Sequence, residues 1–322
     1  MPYAPKAALH EPTLYSIIFL PTRRGIGRRA GYEQYARQGD EKEEKMAHFT
    51  FDAVVKIGSM ALIRKEDNDL DYNIISRLAH DLRPGYILVS SGAAEIGRID
   101  YMKRNGSELK GDLEEIKTDY SSQGQAILMG LYRDFIDPKY SVRQMLVEHS
   151  HFNEPEKAEH LRKLFFRAAN QNAIPIVNYN DPVSNEETRR FEIASLRQNK
   201  GDGEVVECVD NDETAVVVSQ LVGAERLVIL TSTEGIYKDP KDASTLIEEV
   251  RGSSAEEIDA KIDEMLAYCS GASRVGANGA KAKLMFAKRA LENGTDVVIA
   301  SAAHRLSDIM DGKVRCTRLM ID

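Results

Sequence analysis

Apolar residues along the chain fall into two kinds of segment that alternate. Short, branched apolar runs at 51–57 (FDAVVKI), 86–89, 142–147, 173–177, 226–230 and 296–299 read as buried strands, with 316–321 as a closing strand. Between them, 71–82 places Ile74, Ile75, Leu78 and Leu82 at helical spacing, and 93–102, 123–135, 155–170, 214–221, 254–268 and 280–292 also read as helices. This alternation predicts βαβ units: an α/β three-layer sandwich with a mostly parallel central sheet covered by helices on both faces. One stretch breaks the rhythm. Residues 186–208 are polar and show no period, which predicts a hairpin or flap.

The first 45 residues also stand apart. They lack sustained periodicity and end in the charge run DEKEEK just before Met46. Two readings stay open: a disordered tail, or a translated leader with Met46 as the natural start. The Lys-Glu-Glu codons can spell a purine-rich ribosome-binding sequence. Residues 46–322 then make one continuous domain.

Composition narrows the function. A net charge of −8 over 322 residues argues against a general nucleic-acid binder, which needs a basic surface to displace counterions. Cys208, Cys269 and Cys316 are widely spaced and form no CxxC pair, which suits a reducing compartment and points to the cytoplasm. No apolar run approaches the ~20 residues that span a bilayer, so no membrane partner is expected.

In open parallel sheets ligands bind beyond the carboxyl ends of the strands, and polar clusters recur there. Lys56 lies at the end of the first strand, where a lysine is costly to bury unless it meets an anion, and Gly58-Ser59 follows, allowing close backbone approach to phosphate. Ser90-Ser91-Gly92-Ala93 follows the second strand and opens a helix, so it is either an anion-holding N-terminus or a plain serine cap. Asn178-Tyr179-Asn180-Asp181 follows AIPIV and could read a polar ligand or form an Asx turn. Asp210-Asn211-Asp212 opens the next helix, with more acids than one cap requires; such a cluster suits lysine anchoring or Mg²⁺. Thr231, Ser232 and Tyr237 come after another strand, and Gly276-Ala277-Asn278-Gly279 precedes a helix bearing Lys281 and Lys283, a pattern suited to nucleotide phosphates. Glu148, His149 and His151 read as a surface loop rather than a metal site.

Taken in order, VVKIGS (54–59), SSGAAEIGR (90–98), Gly124-Gln125, RQMLV (143–147), IPIVNYND (174–181), DNDETA (210–215), LTSTEGIY (230–237) and the AKL around Lys283 resemble the amino acid kinase family, and within it the glutamate 5-kinase branch. The resemblance runs from about Val54 to Leu319. It implies ATP and Mg²⁺ as cofactors and a carboxylate acceptor, the γ-carboxylate of L-glutamate, with uridylate (UMP) kinase-like activity or a non-catalytic nucleotide or metabolite sensor as alternatives. It implies that Lys56 and Lys283 stabilise the transferring phosphoryl group, with Asp212 holding both. Ser91, Gly92, Ala93, Asn178, Asp181, Asp210 and Asn211 would then face the acceptor. Gly58, Ser59, Thr231, Ser232, Tyr237, Gly276, Asn278, Gly279 and Lys281 would face ATP. A homo-oligomer is implied as well. A nucleoside monophosphate would need arginines for its phosphate, and Arg98 could serve. The pattern departs from the branch at Tyr179, where glutamate is usual, at Cys208-Val209 for Phe-Gly, at Ser232 for Asp, and in the loop at 276–280.

Overall fold

The computed structural model describes residues 49–322 apart from 65, 185, 201–204, 209, 240 and 269–278. The leader-or-tail segment at 1–45, Met46, Gly276 and Asn278 therefore lie outside the described residues.

Eight strands form one sheet: β1 (Ala53–Ile57), β2 (Tyr86–Ser90), β3 (Ser141–Val147), β4 (Ala173–Tyr179), β5 (Arg226–Thr231), β6 (Glu249–Gly252), β7 (Asp296–Ser301) and β8 (Thr317–Ile321). Their order is β3-β4-β2-β1-β5-β7-β8-β6, and every neighbouring pair is parallel except β7 with β8. The long helices are α1 (Tyr72–Asp81), α2 (Ala93–Asn105), α3 (Leu113–Phe135), α4 (Pro155–Asn170), α5 (Glu186–Lys200), α6 (Asn211–Val222), α7 (Ala255–Tyr268) and α8 (Ala280–Glu292). The mostly parallel, helix-covered sheet is the fold the alternating pattern predicts.

Strands buried on both faces need apolar residues at every position, and β1 meets this except at Lys56. Ala53, Val55 and Ile57 join the cluster formed with Ile75 and Leu78 of α1, Ile96 of α2 and Leu128 of α3. Each fully buried Val or Ile there contributes roughly 1.5–3 kcal/mol. Successive strand residues point to opposite faces, so Val54 and Lys56 face the other layer, against which α6 packs. The one charged side chain of β1 is thereby aimed at the first turn of α6.

The helices α2 and α3 approach until backbone meets backbone. A Cβ on Gly124 would stand 1.8 Å from the Ala93 carbonyl oxygen, and one on Gly97 1.8 Å from that of Tyr120. No side chain fits at either position. Asp112 caps α3 by accepting from the N–H groups of Glu114 and Glu115.

Three expectations are corrected. Residues 186–200 form the helix α5, not a hairpin or flap. Only Ile193 of α5 is buried among its described side chains, so there was no apolar stripe to see. The helix α3 begins at Leu113, ten residues before the expected start, because its first half is largely solvated and lacks apolar period. Edge strand β6 is only four residues long and carries charges on its outward positions, which hid it.

Candidate active site

Because β1, β2, β4 and β5 run parallel, their carboxyl ends at Ile57, Ser90, Tyr179 and Thr231 share one edge of the sheet, and α6 starts above them. Asp210 caps α6, its Oδ1 accepting from the N–H groups of Asp212 (2.8 Å) and Glu213 (2.9 Å). Burial, reinforced by the nearby Asp212 carboxylate and opposed by those N–H groups and Lys56, raises the Asp210 carboxyl above its ordinary range.

Asp212 is 2% exposed and lies between two lysines. Its Oδ1 is 2.5 Å from Lys56 Nζ and its Oδ2 3.8 Å from Lys283 Nζ. Burial lowers the Lys283 ammonium below the ordinary lysine range, with Lys56 adding to the shift and Asp212 opposing it. Two cations face one buried carboxylate where water is scarce, and burial disfavours the charged form of the second carboxyl nearby, Asp210. Such a place favours an anion. Gly58 follows directly, and a Cβ there would come 3.6 Å from Lys56 Nζ. Gly92, at φ +109°, occupies the left-handed region and a side chain on it would meet Leu62 at 2.9 Å. Gly58 keeps backbone bare beside the Lys56 ammonium, and Gly92 does so at the start of α2.

Next to these charges lies a hydrogen-bonded amide chain. Asn211 Nδ2 donates to Ser91 Oγ (3.1 Å) and to Asn178 Oδ1 (2.8 Å), and Asn178 Nδ2 donates to Gln125 Oε1 (2.8 Å). Asn178 Oδ1 and Asn211 Oδ1 also accept from the Tyr179 N–H. Asp181 accepts from Lys117 Nζ at 3.0 Å. The Tyr179 hydroxyl meets Ser184 Oγ at 2.8 Å, and the Arg189 guanidinium lies 5.6 Å from the centre of its ring.

The structure thus brings together Lys56, Gly58, Ser91, Gly92, Asn178, Asp210, Asn211, Asp212 and Lys283. Ala93 begins α2 beside them, and Ser59 opens a short 3₁₀ turn next to Gly92. On the nucleotide side the picture is sparser. Thr231 Oγ1 is engaged within its own loop by Thr233, Ser232 and Lys281 are exposed, and Tyr237 pairs with Leu246 in an isolated bridge. Gly279 precedes α8 without a side-chain cap. His149 corrects the surface-loop reading: it is buried, with Nε2 3.1 Å from Glu192 on α5. Arg98 is taken by Glu95 (2.5 Å) and Glu108 (2.7 Å) and is not open to a phosphate.

Sequence reasoning left Lys117 unnamed and gave Gln125 no role. Their signal was a polar stripe, Lys117-Ser121-Gln125, at i, i+4 spacing along α3. Arg189 carried no signal, since its helix has no period. A separate groove of about 580 Å³ lies at the opposite, amino-terminal edge of the sheet, beside Asp52, Tyr86 and Arg226. It has no part in this site.

An open, mostly parallel sheet with two ammonium groups on one buried carboxylate at its carboxyl edge defines an α/β protein built to hold an anionic ligand. The sequence profile of the amino acid kinase family matches residues 53–301, and the chain belongs to that family. It is a phosphotransferase. Over 291 residues it is 30% identical to the glutamate 5-kinase of Laribacter hongkongensis (strain HLHK9), covering 86% of this chain and 70% of that protein. Over 283 residues it is 31% identical to the glutamate 5-kinase of Nitrosomonas eutropha (strain DSM 101675 / C91 / Nm57), covering 84% and 67%. The chain thus spans about two thirds of the length of these relatives. Its fold is similar to that of carbamate kinase from Giardia lamblia, solved bound to AMP-PNP, with a TM-score of 0.50, 15% identity and coverage of 84% and 98%. No helix among the described residues is long and apolar enough to cross a membrane.

Proposed function

We propose that the chain transfers the γ-phosphoryl group of ATP to the γ-carboxylate of L-glutamate. The observation that carries this reading is the Lys56–Asp212–Lys283 arrangement beside the Ser91–Asn211–Asn178–Gln125 chain. Phosphoryl transfer asks the protein for position and charge more than for covalent chemistry. Lys56 and Lys283 would stabilise the charge spread over the transferring oxygens, and Asp212 would keep both ammonium groups aimed. The amide chain and Asp181 would orient the acceptor, with Gly92 and Ala93 lining its approach and Gly58 and Ser59 facing the phosphates of ATP. Thr231, Ser232, Tyr237, Gly279 and Lys281 would flank ATP.

The residues fit the phosphates of ATP better than a protein-held cation. Among the described residues no group of three or more Asp, Glu, His or Cys side chains is placed to hold a metal. A Mg²⁺ arriving with ATP would keep mainly phosphate and water ligands, as this small cation prefers. The engagement of Arg98 by Glu95 and Glu108 favours a carboxylate acceptor over a nucleoside monophosphate, whose phosphate needs an open arginine. The reading carries with it a cytoplasmic setting, which the spacing of the cysteines suits, and a homo-oligomer, which rests on family resemblance.

The test is ADP release from MgATP by the purified full chain, with L-glutamate, UMP and a panel of other amino acids and small carboxylates. Stimulation by L-glutamate alone supports the reading. Stimulation by UMP or another acid reassigns the acceptor pocket, and silence across the panel with measurable ATP binding favours a sensor.

A further inference from the structure

Lys283 contacts Asp212 at 3.8 Å, a looser pairing than the 2.5 Å of Lys56, and the placement of the helix that carries it bears on where its ammonium stands. That helix, α8, starts at Ala280 behind Gly279, which supplies no side-chain cap. Contacts that hold α8 to neighbouring helices lie further along. Arg289, about 9 Å along the axis from Lys283 at 1.5 Å per residue, reaches back to α6. Its Nη1 donates to Glu213 Oε1 at 3.3 Å, between side chains only 19% and 8% exposed. Gln220 of α6 donates to the Arg289 carbonyl oxygen at 3.3 Å, and Lys288 reaches Asp259 of α7 at 3.0 Å.

Glu213 is the residue next to Asp212. Its Oε1 also accepts from the Glu207 N–H at 3.2 Å, which ties the strand-like segment leading into the acidic cluster to the same carboxylate. One buried carboxylate thus joins the approach to α6, the first turn of α6 and the last turn of α8. We infer that Glu213 and Arg289 form a positioning pair for phosphoryl transfer, setting where α8 lies against the first turn of α6 and so where Lys283 stands relative to Asp212. Neither residue needs to touch substrate. The inference rests on Lys283 facing the phosphoryl group, but not on the identity of the acceptor.

A buried ion pair can also serve stability alone, and breaking one is costly whatever its role. The two roles separate through Lys283 itself. Trace labelling of lysines with acetic anhydride across pH, read peptide by peptide in the mass spectrometer, gives the titration of Lys283, with exposed Lys281 on the same helix as internal reference. In the wild-type chain Lys283 should titrate below the ordinary lysine range. In folded Arg289→Met its titration should move up towards that range, with a several-fold gain in the labelling rate of the free amine and the labelling of Lys281 unchanged. An unchanged Lys283 profile in the folded variant overturns the inference. Should Arg289→Met not fold, Arg289→Lys and Glu213→Gln carry the same test, since each keeps most of the packing.

A second arm uses turnover with whichever acceptor stimulates ADP release. Arg289→Met should lower kcat about tenfold in the wild-type background and less than twofold in a Lys283→Met background, because residues acting through one another are non-additive. Equal losses in both backgrounds overturn the positioning role. Silence with L-glutamate counts against that acceptor alone, and the labelling arm still decides the inference.

Discussion

Lys56 and Asp212, far apart in sequence, meet at 2.5 Å with almost no exposure to water. The parallel pairing of β1 with β5, and the packing of α6 across both, makes the meeting obligatory. Neither charge can be removed without stranding the other, and the consequences differ between the two lysines.

Asp212→Asn should lower turnover on the order of 10²-fold, since a neutral amide aims the ammonium groups weakly and leaves them repelling one another. Lys283→Ala should lower turnover comparably with a small change in the unfolding midpoint. Lys56→Ala should lose turnover and in addition more stability than Lys283→Ala, because it removes the closer of the two cations that face a buried carboxylate. Steady-state ADP release and urea denaturation of the three variants check this. Equal destabilisation by both lysine variants would contradict the different burial of the two ammonium groups.

The lowered Lys283 pKa sets a pH dependence whose sign differs for activity and stability. The ammonium form is lost as pH rises through the folded pKa, below the ordinary 10.5, so turnover should fall on the alkaline side within that window. The unfolded chain holds this proton more tightly than the folded one. The cost to stability is therefore present at neutral pH and is relieved as pH rises from the folded pKa towards 10.5. A pH–kcat profile that loses its alkaline limb in Lys283→Met would confirm the assignment.

Gln125→Leu removes the acceptor for Asn178 Nδ2 deep in the amide chain. Leaving that donor buried without a partner costs about 1–3 kcal/mol, and part of it should appear as about a tenfold rise in the KM for the acceptor. The KM for ATP should stay within twofold. Matching rises in both would place Gln125 in general folding rather than acceptor orientation.

Gly124→Ala should be among the most damaging single changes away from the charged groups. Its Cβ would fall 1.8 Å from the Ala93 carbonyl oxygen, so α2 and α3 must separate. Overpacking of a well-filled contact typically costs 1–3 kcal/mol, and a backbone partner cannot yield as a side chain can, so a loss of about 3 kcal/mol or more is expected in denaturant melts. Turnover should fall with it, since Ala93 opens α2 at the site. An unchanged midpoint would mean the two helices do not meet here.

Much of this was legible in the chain itself. Runs such as AVVKI and AIPIV named buried strands because a parallel sheet covered on both faces tolerates no polar alternation, and Lys56 stood out against that rule. The family motifs singled out Asn178 at a strand end, Asn211 and Asp212 at the start of a helix and Lys283 on another helix, and the carboxyl edge of the sheet is where the fold gathers them. Helix α5 was not legible, since a helix with one buried residue writes no period. Nor was the start of α3, whose first turns are solvated.

Local sequence determined which segments were strand or helix and which polar residues stood at their ends, because those depend on period, capping and neighbouring residues. Only the tertiary structure decided what each polar group faces. Asp181 turns to Lys117, Arg98 is closed off by two glutamates, and His149 is buried against Glu192. The joining of Glu213 to Arg289 belongs to the same class. Such pairings arise from strand order and helix packing, and contacts between distant residues leave no mark on the local pattern of either partner.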